Sequence, residues 1–115
     1  MRNFFVLLVM LSFHSAAFAD SQKLNATQII ELLSDKTIYG LPGAAPSEQI
    51  FQKAGATYFT ENGNQSQGEW KLEGDKYCSV WPPSQNWVCY DLTRDGNTIG
   101  FISPSGKISS YSLVK

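Results

Sequence analysis

The clearest periodic pattern along the chain is an apolar stripe with helical spacing near residue 30. It is formed by Ile29, Ile30, Leu32 and Leu33. Asn25 stands where a helix N-cap is expected, and Gln28 follows three residues later, as in a capping box. Leu24 precedes the cap and is spaced from Ile29 as in a hydrophobic staple. The pattern predicts a helix from Ala26 to Ser34.

The next stretch carries weaker signals. Residues 37–46 (TIYGLPGAAP) start with β-branched and aromatic residues and continue into Gly and Pro. This composition indicates a brief extended piece followed by a loop. Ser47 is a good helix cap and Gly55 a good stop, so the segment from Ser47 to Lys53 is predicted to form a short helical turn.

From Ala56 onward, short apolar and polar alternations are separated by turn signals about every ten residues, the pattern of an antiparallel meander. The turn signals are Asn62-Gly63, Gly74-Asp75, residues 82–85 (PPSQ), Asp95-Gly96 and Pro104 to Gly106. Short turns fix the register of the strands that they join. The cross-strand pairs that follow are Phe59 with Ser66, Leu72 with Tyr77, Trp70 with Ser79, Cys78 with Cys89, Tyr77 with Tyr90, Leu92 with Ile99, Tyr90 with Phe101, and Ile99 with Tyr111.

These registers can be tested against one another, because successive side chains of a strand point to opposite faces of the sheet. One face collects Phe59, Trp70, Leu72, Tyr77, Val88, Tyr90, Leu92, Ile99, Phe101, Tyr111 and Leu113. The other collects Glu69, Lys71, Lys76, Asp91, serines and the two cysteines. A slip of one residue would invert the whole set, so the agreement favours this fold. We expect an α+β domain in which an N-terminal helix packs on a curved antiparallel sheet of about six strands. The sequence does not decide whether this sheet closes into a partial barrel.

The start of the chain has the features of a signal peptide. Its parts are the positive pair Met1-Arg2, the apolar run 4–13 (FFVLLVMLSF) and the small-x-small site Ala17-Phe18-Ala19. We therefore expect residues 1–19 to be removed and residues 20–115 to form a single domain that is periplasmic or secreted. The apolar run is shorter than the about 20 residues that a membrane helix needs, so no retained membrane span is predicted.

Removal of this leader changes the residue inventory. It takes away His14, the only histidine, and Arg2, so that 8 Lys and Arg stand against 10 Asp and Glu, a formal net charge of -2 in place of -1. The charges are interspersed and form no basic stripe, so nucleic acid is not a predicted partner. A Ser-His-Asp triad cannot form without a histidine. The carboxylates that remain as candidates are Glu61, Glu69, Glu73 and Asp91, all at turns or on the polar face. The chain is therefore not expected to be an enzyme.

Cys78 and Cys89 are the only cysteines, and they are predicted to form a disulfide. Exported proteins usually pair their cysteines, and the register independently places the two opposite each other. Two thiols without a histidine make a poor zinc site. The spacing is also too wide for a C-x-x-C redox motif. No metal and no cofactor are predicted.

The segment between the cysteines carries an aromatic loop, WPPSQNW (residues 81–87). The disulfide clamps the strands below it, and the two prolines reduce its conformational freedom. One interpretation is that Trp81 and Trp87 pack on each other or fold back over the sheet edge. The other is a contact surface for a protein, a glycan or a small apolar ligand, because such surfaces use exposed aromatics beside adaptable polar residues. The candidate surface consists of Trp81, Pro82, Pro83, Gln85, Asn86 and Trp87.

Two segments, GEWKLEGDKYCSVW and WVCYDLTRDGNTIGFISPSGKI, resemble a family of small exported bacterial proteins, periplasmic and of unassigned function, with a W-x-x-x-G-D-x-x-C … C-Y core. The matching positions are Leu24 through Leu33, Trp70, Gly74, Asp75, Cys78, Cys89 and Tyr90. The resemblance covers most of the chain after the leader, and its motifs are turns, core aromatics and the cysteine pair. It implies a periplasmic setting and a fold, and it carries over no catalytic residue.

The sequence thus predicts an exported small binding or interaction module for a ligand that it does not specify. The alternative is a secreted inhibitor that inserts the Trp-Pro-Pro tip of the clamped hairpin into the cleft of a hydrolase. A concave apolar cavity would favour the binding module, a protruding tryptophan tip would favour the inhibitor, and paired carboxylates in a cleft would favour an enzyme.

Overall fold

The computed structural model describes residues 21–115, and the predicted signal peptide, residues 1–19, lies outside the described residues. The elements are β1 (Gln22–Lys23), α1 (Ala26–Leu33), β2 (Lys36–Gly40), β3 (Ser47–Phe51), β4 (Ala56–Glu61), β5 (Asn64–Glu73), β6 (Lys76–Val80), β7 (Val88–Asp95), β8 (Thr98–Ile102) and β9 (Ile108–Ser112).

Eight of the strands form a closed antiparallel barrel. Each strand from β2 to β9 pairs with the next along the chain, and β9 pairs back with β2 to close the ring. The short β1 adds to β7 beside Thr93 and Arg94. Residues 21–115 are therefore mostly β with one helix, and the barrel has two strands more than the sheet of about six that the turn signals predicted.

The additional strands lie where the sequence signals were weak. The extended piece predicted within residues 37–46 is confirmed as β2, but the helical turn predicted from Ser47 to Lys53 is wrong. That segment begins with β3, which pairs with β2 on one side and β4 on the other. Gln49 and Phe51 are buried in the barrel, and Ile50 between them is exposed. Two neighbouring strands satisfy the backbone groups of β3, which outweighs the helix-capping tendency of its first residue.

The N-terminal helix forms as predicted and ends one residue earlier than expected. Asn25 Oδ1 accepts a hydrogen bond from Gln28 N at 2.9 Å, and Gln28 Oε1 accepts one from Asn25 N at 2.9 Å, which confirms the capping box. Ile29 and Leu33 are fully buried and join the apolar core of the barrel. Within residues 21–115, no helix combines the length and the hydropathy that a membrane-spanning helix requires.

The strand registers confirm most of the predicted pairs. Those confirmed are Phe59 with Ser66, Leu72 with Tyr77, Trp70 with Ser79, Tyr77 with Tyr90, Cys78 with Cys89, and Ile99 with Tyr111. The β7–β8 register is wrong by two residues, since Leu92, predicted to face Ile99, faces Phe101. The chain turns there through Gly96-Asn97 with a φ of 57° at the glycine, a glycine-first turn of the II′ kind, and not through Asp95-Gly96. A shift of two residues keeps every side chain on its own face.

The barrel interior has a packed end and an open end. The packed core consists of Leu24, Ile29, Leu33, Ile38, Phe51, Trp70, Tyr77, Leu92, Ile99 and Phe101. The helix α1 covers the packed end, and Asp75 in the β5–β6 turn accepts a hydrogen bond from Ala26 N at 2.9 Å, which ties the first turn of α1 to the barrel. Val88, predicted to face the core, is exposed, because it is the first residue of β7 beside the β6–β7 loop.

Candidate functional site

A concave cavity opens at the end of the barrel that α1 leaves uncovered, and its volume is about 210 Å³. It is lined by Gln49, Phe59, Tyr77, Ser79, Trp81, Tyr90, Phe101, Ser109 and Tyr111. Most of these residues are aromatic, and none is Lys, Arg, Asp or Glu. Inward-facing positions of six strands meet there, because alternate residues of each strand point into the barrel. We call this site the aromatic cavity.

The rings that line the aromatic cavity pack on one another. Phe101 meets Tyr77 edge-to-face with ring centroids 5.4 Å apart. It meets Tyr111 and Tyr90 in the same manner, at 5.7 and 6.3 Å. Each such pair contributes about 0.5–1.5 kcal/mol beyond the area that it buries. Packing inside the protein therefore positions these walls.

Trp81 forms a wall of the cavity, although the sequence placed it at the tip of the hairpin. It follows Tyr77 and Ser79 at alternate positions, so its side chain continues along the inner face of β6. Its ring lies edge-on to Phe59 with centroids 6.5 Å apart. The ring also covers Gly68 on β5, where an added Cβ would come within 2.8 Å of it. Because position 68 carries no side chain, the Trp81 ring can lie against β5 and form this wall of the cavity.

Polar side chains lie deep in the aromatic cavity. Gln49 is 8% exposed, Ser79 is 4% exposed and Tyr77 is 2% exposed. Gln49 Nε2 donates hydrogen bonds to Thr57 Oγ1 at 3.0 Å and to the Tyr77 hydroxyl at 3.4 Å. A few polar groups among apolar walls are typical of small-molecule sites, where they orient the ligand.

The lining of the cavity carries no charge at physiological pH. Burial raises the pKa of Tyr77 well above its usual range, and a hydrogen bond from Ser79 opposes this only in part. The pKa of Tyr111 is raised as well, first by burial and then by the nearby Glu61 carboxylate. Both phenols therefore stay protonated. Because an unpaired charge is costly to bury, the site suits an uncharged ligand.

The rest of the predicted contact surface lies outside the cavity. Its exposed members are Pro82, Pro83, Gln85 and Asn86. Trp87 is 37% exposed, and Lys71 Nζ lies 4.2 Å from its ring centroid. The two tryptophans thus point to opposite faces of the sheet, Trp81 into the barrel and Trp87 outward. Contact with a partner through this surface stays a prediction.

Cys78 and Cys89 form the predicted disulfide across β6 and β7. Glu73 Oε2 lies 3.2 Å from Cys89 Sγ and 3.5 Å from Cys78 Sγ. The three residues are close enough to share an ion, but the sulfurs are bonded to each other. While the disulfide is intact, the cluster offers a metal ion one carboxylate and no thiolate.

The carboxylates considered from the sequence are not among the residues that line the aromatic cavity, although Glu61 lies near Tyr111. Glu61, Glu69 and Glu73 are exposed. Asp91 accepts a hydrogen bond from Lys76 Nζ at 3.1 Å and lies 3.4 Å from Lys23 Nζ. The bond from Lys76 is the main reason that the pKa of Asp91 lies below its usual value, and Lys23 adds to the effect. The sequence places Lys76 and Asp91 on the same polar face, and an exposed ion pair of this kind contributes little to stability.

Three larger depressions lie on the surface of residues 21–115. One, of about 780 Å³ between α1, β1 and the β7–β8 turn, is lined largely by polar and charged side chains, among them Glu31, Lys36 and Arg94. A second, of about 550 Å³, lies beside the C-terminal residues Val114 and Lys115. The third, of about 360 Å³, lies beside Phe59 and Trp81, and its polar lining residues Ser66 and Gln67 are exposed. None of the three combines aromatic walls with buried polar groups, so the aromatic cavity is the candidate site.

Comparisons of the chain with protein-family models, with curated proteins and with solved structures found no match. The resemblance of the W-x-x-x-G-D-x-x-C core to small exported bacterial proteins therefore stays a prediction. The candidate site depends on geometry alone.

Gln49 is one of the site residues that sequence reasoning missed. It fell in the segment predicted to be helical, and a polar residue at an inward position breaks the alternation that marks a strand. Only the pairing of β3 with β4, which brings Gln49 beside Thr57, reveals its position.

Proposed function

We propose that the protein is an exported, non-enzymatic binding module that takes a small, largely apolar ligand into the aromatic cavity. The observation that carries the proposal is the convergence of aromatic side chains on an uncharged space of about 210 Å³ with buried polar groups at its base. A dry cavity of about 150 Å³ is enough to hold benzene. A single ring or two fused rings is the ligand size that suits this site.

A matched pair of substitutions on β9 tests the proposal. Ser109 lines the cavity, and Ser110, its neighbour, is exposed on the outer face. In wild-type protein, indole is expected to shift the nuclear magnetic resonance signals of cavity residues. Ser109→Phe fills the space and should abolish the shifts, whereas Ser110→Phe should retain them. Absence of shifts in wild-type protein, or equal shifts in both variants, would contradict the proposal.

The exported location has separate support. An intramolecular disulfide persists in oxidising compartments, and the leader predicted at residues 1–19 would deliver the chain there. Fractionation of cells that express the full chain should place it in the periplasm or the medium. Retention in the cytoplasm would contradict this location.

A second candidate function is inhibition of a hydrolase by the hairpin tip. The observation that favours it is the exposed run from Pro82 to Val88, which includes Trp87 and is clamped at its base by the disulfide. Inhibition assays with a panel of secreted proteases and glycosidases test it. If the hairpin tip is the inhibitor, Trp87→Ala should remove the inhibition and Ser109→Phe should retain it. The opposite pattern would assign any inhibition to the aromatic cavity.

A further inference from the structure

The orientation of the Gln49 amide is determined by its neighbours. The Thr57 hydroxyl has one hydrogen, and it donates that hydrogen to the Ile50 carbonyl oxygen at 2.8 Å. Towards Gln49 it can therefore only accept, so the Gln49 group that lies 3.0 Å away must be the NH₂ group. The second hydrogen of that group points to the Tyr77 hydroxyl at 3.4 Å.

This arrangement leaves the amide oxygen of Gln49 available. Within residues 21–115, the structure shows no hydrogen bond to Gln49 Oε1, and no buried side-chain oxygen or nitrogen there lacks a partner. The oxygen must therefore be accessible, although the residue as a whole is 8% exposed. The aromatic cavity is the space that Gln49 lines, so the oxygen is an acceptor at the base of that cavity.

The side chains that form the walls of the cavity restrict the class of ligand further. Aromatic rings such as Trp81 and Phe101 pack well against another flat ring. The protonated phenols of Tyr77 and Tyr111 leave the lining uncharged, so it offers no counter-charge to an ionic ligand. A ligand that met an apolar wall only would leave the Gln49 acceptor without a partner, which costs affinity.

We propose that the aromatic cavity selects an uncharged aromatic ring with an N–H or O–H group on its edge, and that Gln49 Oε1 accepts the hydrogen of that group. Phenols and indoles have this chemistry. This selection depends on the proposed binding function, and it adds the class of ligand.

Phenol and toluene test the selection because they are alike in size and differ in the donor. We expect Gln49→Leu to lower the ratio of phenol affinity to toluene affinity roughly five- to tenfold, the worth of one hydrogen bond. Phenol and toluene differ in the free energy that each needs to leave water, and this difference cancels when the affinity ratio of the variant is compared with that of the wild type. Gln65→Leu, an exposed position on β5, should leave the ratio unchanged.

A second measurement needs no variant, in case Gln49→Leu does not fold. In wild-type protein, phenol should shift the side-chain amide resonances of Gln49 through its bond to Oε1, and toluene should shift them much less. If both rings bind in the cavity of the wild-type protein with similar amide shifts, the role of Gln49 is refuted and the binding function stands. An unchanged affinity ratio in a folded Gln49→Leu protein would refute that role as well. If neither ring binds, both proposals fail. If tetramethylammonium binds more tightly than either ring, the cavity is a cation cage and the selection proposed here is wrong.

Discussion

Replacing Gly68 by alanine tests whether the wall formed by Trp81 depends on a missing side chain. Gly68 lies on β5 opposite Thr57, and its φ is not positive, so its backbone conformation itself accepts alanine. An added Cβ would lie 2.6 Å from the Val80 carbonyl oxygen and 2.8 and 2.9 Å from two ring atoms of Trp81. Real Cβ atoms essentially never approach other heavy atoms within 3.0 Å. The side chain therefore cannot be added without displacing its surroundings.

Two opposing terms set the size of the effect. Alanine within a strand is favoured over glycine by about 0.5–1 kcal/mol, because glycine loses more conformational freedom on folding. Overpacking a filled site costs about 1–3 kcal/mol. The carbonyl of Val80 belongs to the β-ladder and cannot rotate away, so the overpacking term should win. We expect the free energy of unfolding to fall by about 1–2 kcal/mol.

Urea unfolding followed by far-ultraviolet circular dichroism measures this effect in Gly68→Ala, Trp81→Ala and the double variant. Removal of the ring relieves part of the conflict at position 68. The double variant should therefore be more stable than the sum of the two single changes predicts, by about 1 kcal/mol. Strictly additive effects, or a Gly68→Ala protein as stable as wild type, would refute the proposed contact between the Trp81 ring and position 68.

Three further predictions concern the rest of the fold. Stability should fall as pH rises above 10, the ordinary pKa of tyrosine, because Tyr77 keeps its proton in the fold and loses it when unfolded. Tyr77→Phe should flatten this slope in urea unfolding by up to about 1.4 kcal/mol per pH unit, and coinciding slopes would contradict the burial argument. Replacing Cys78 and Cys89 together by serine should lower the free energy of unfolding by about 3 kcal/mol through a freer unfolded chain; an unchanged urea midpoint would assign the disulfide no stabilising role. Asn25→Ala should cost about 1 kcal/mol in the same assay, with Asn25→Asp close to wild type, and equal losses in both would deny the capping box its role.

The features that sequence reasoning predicted well are local ones. The capping box joins Asn25 to Gln28, and each confirmed hairpin register joins strands that are neighbours along the chain. The disulfide followed from the β6–β7 register. The β7–β8 register failed because Asp95-Gly96 and Gly96-Asn97 are both acceptable turns, and they differ by two residues in pairing. That shift preserves both faces of the sheet, so the comparison of faces could not detect it.

The candidate site was largely beyond the sequence. Trp81 and Trp87 lie in the same loop of the sequence, and either interpretation of that loop treats them alike. In the structure, β6 directs Trp81 into the barrel, whereas Trp87 lies outside under Lys71. Gln49 lies in a segment that the sequence predicts to be helical, and its role becomes evident only when β4 brings Thr57 beside it. Each assignment depends on which strand lies next to which, and no pattern within a segment specifies that.

By itself, the sequence determined the helix, most hairpins, the disulfide and the division of the meander into an apolar and a polar face. Those features depend on turn geometry and side-chain alternation, which act between residues a few positions apart. The tertiary structure alone decided that the sheet closes, because the closing pair of β2 with β9 joins distant parts of the chain. Closure turns the apolar face of the sheet into the interior of the barrel. The helix α1 and the core side chains fill only part of the length of this interior. The aromatic cavity is the space that remains.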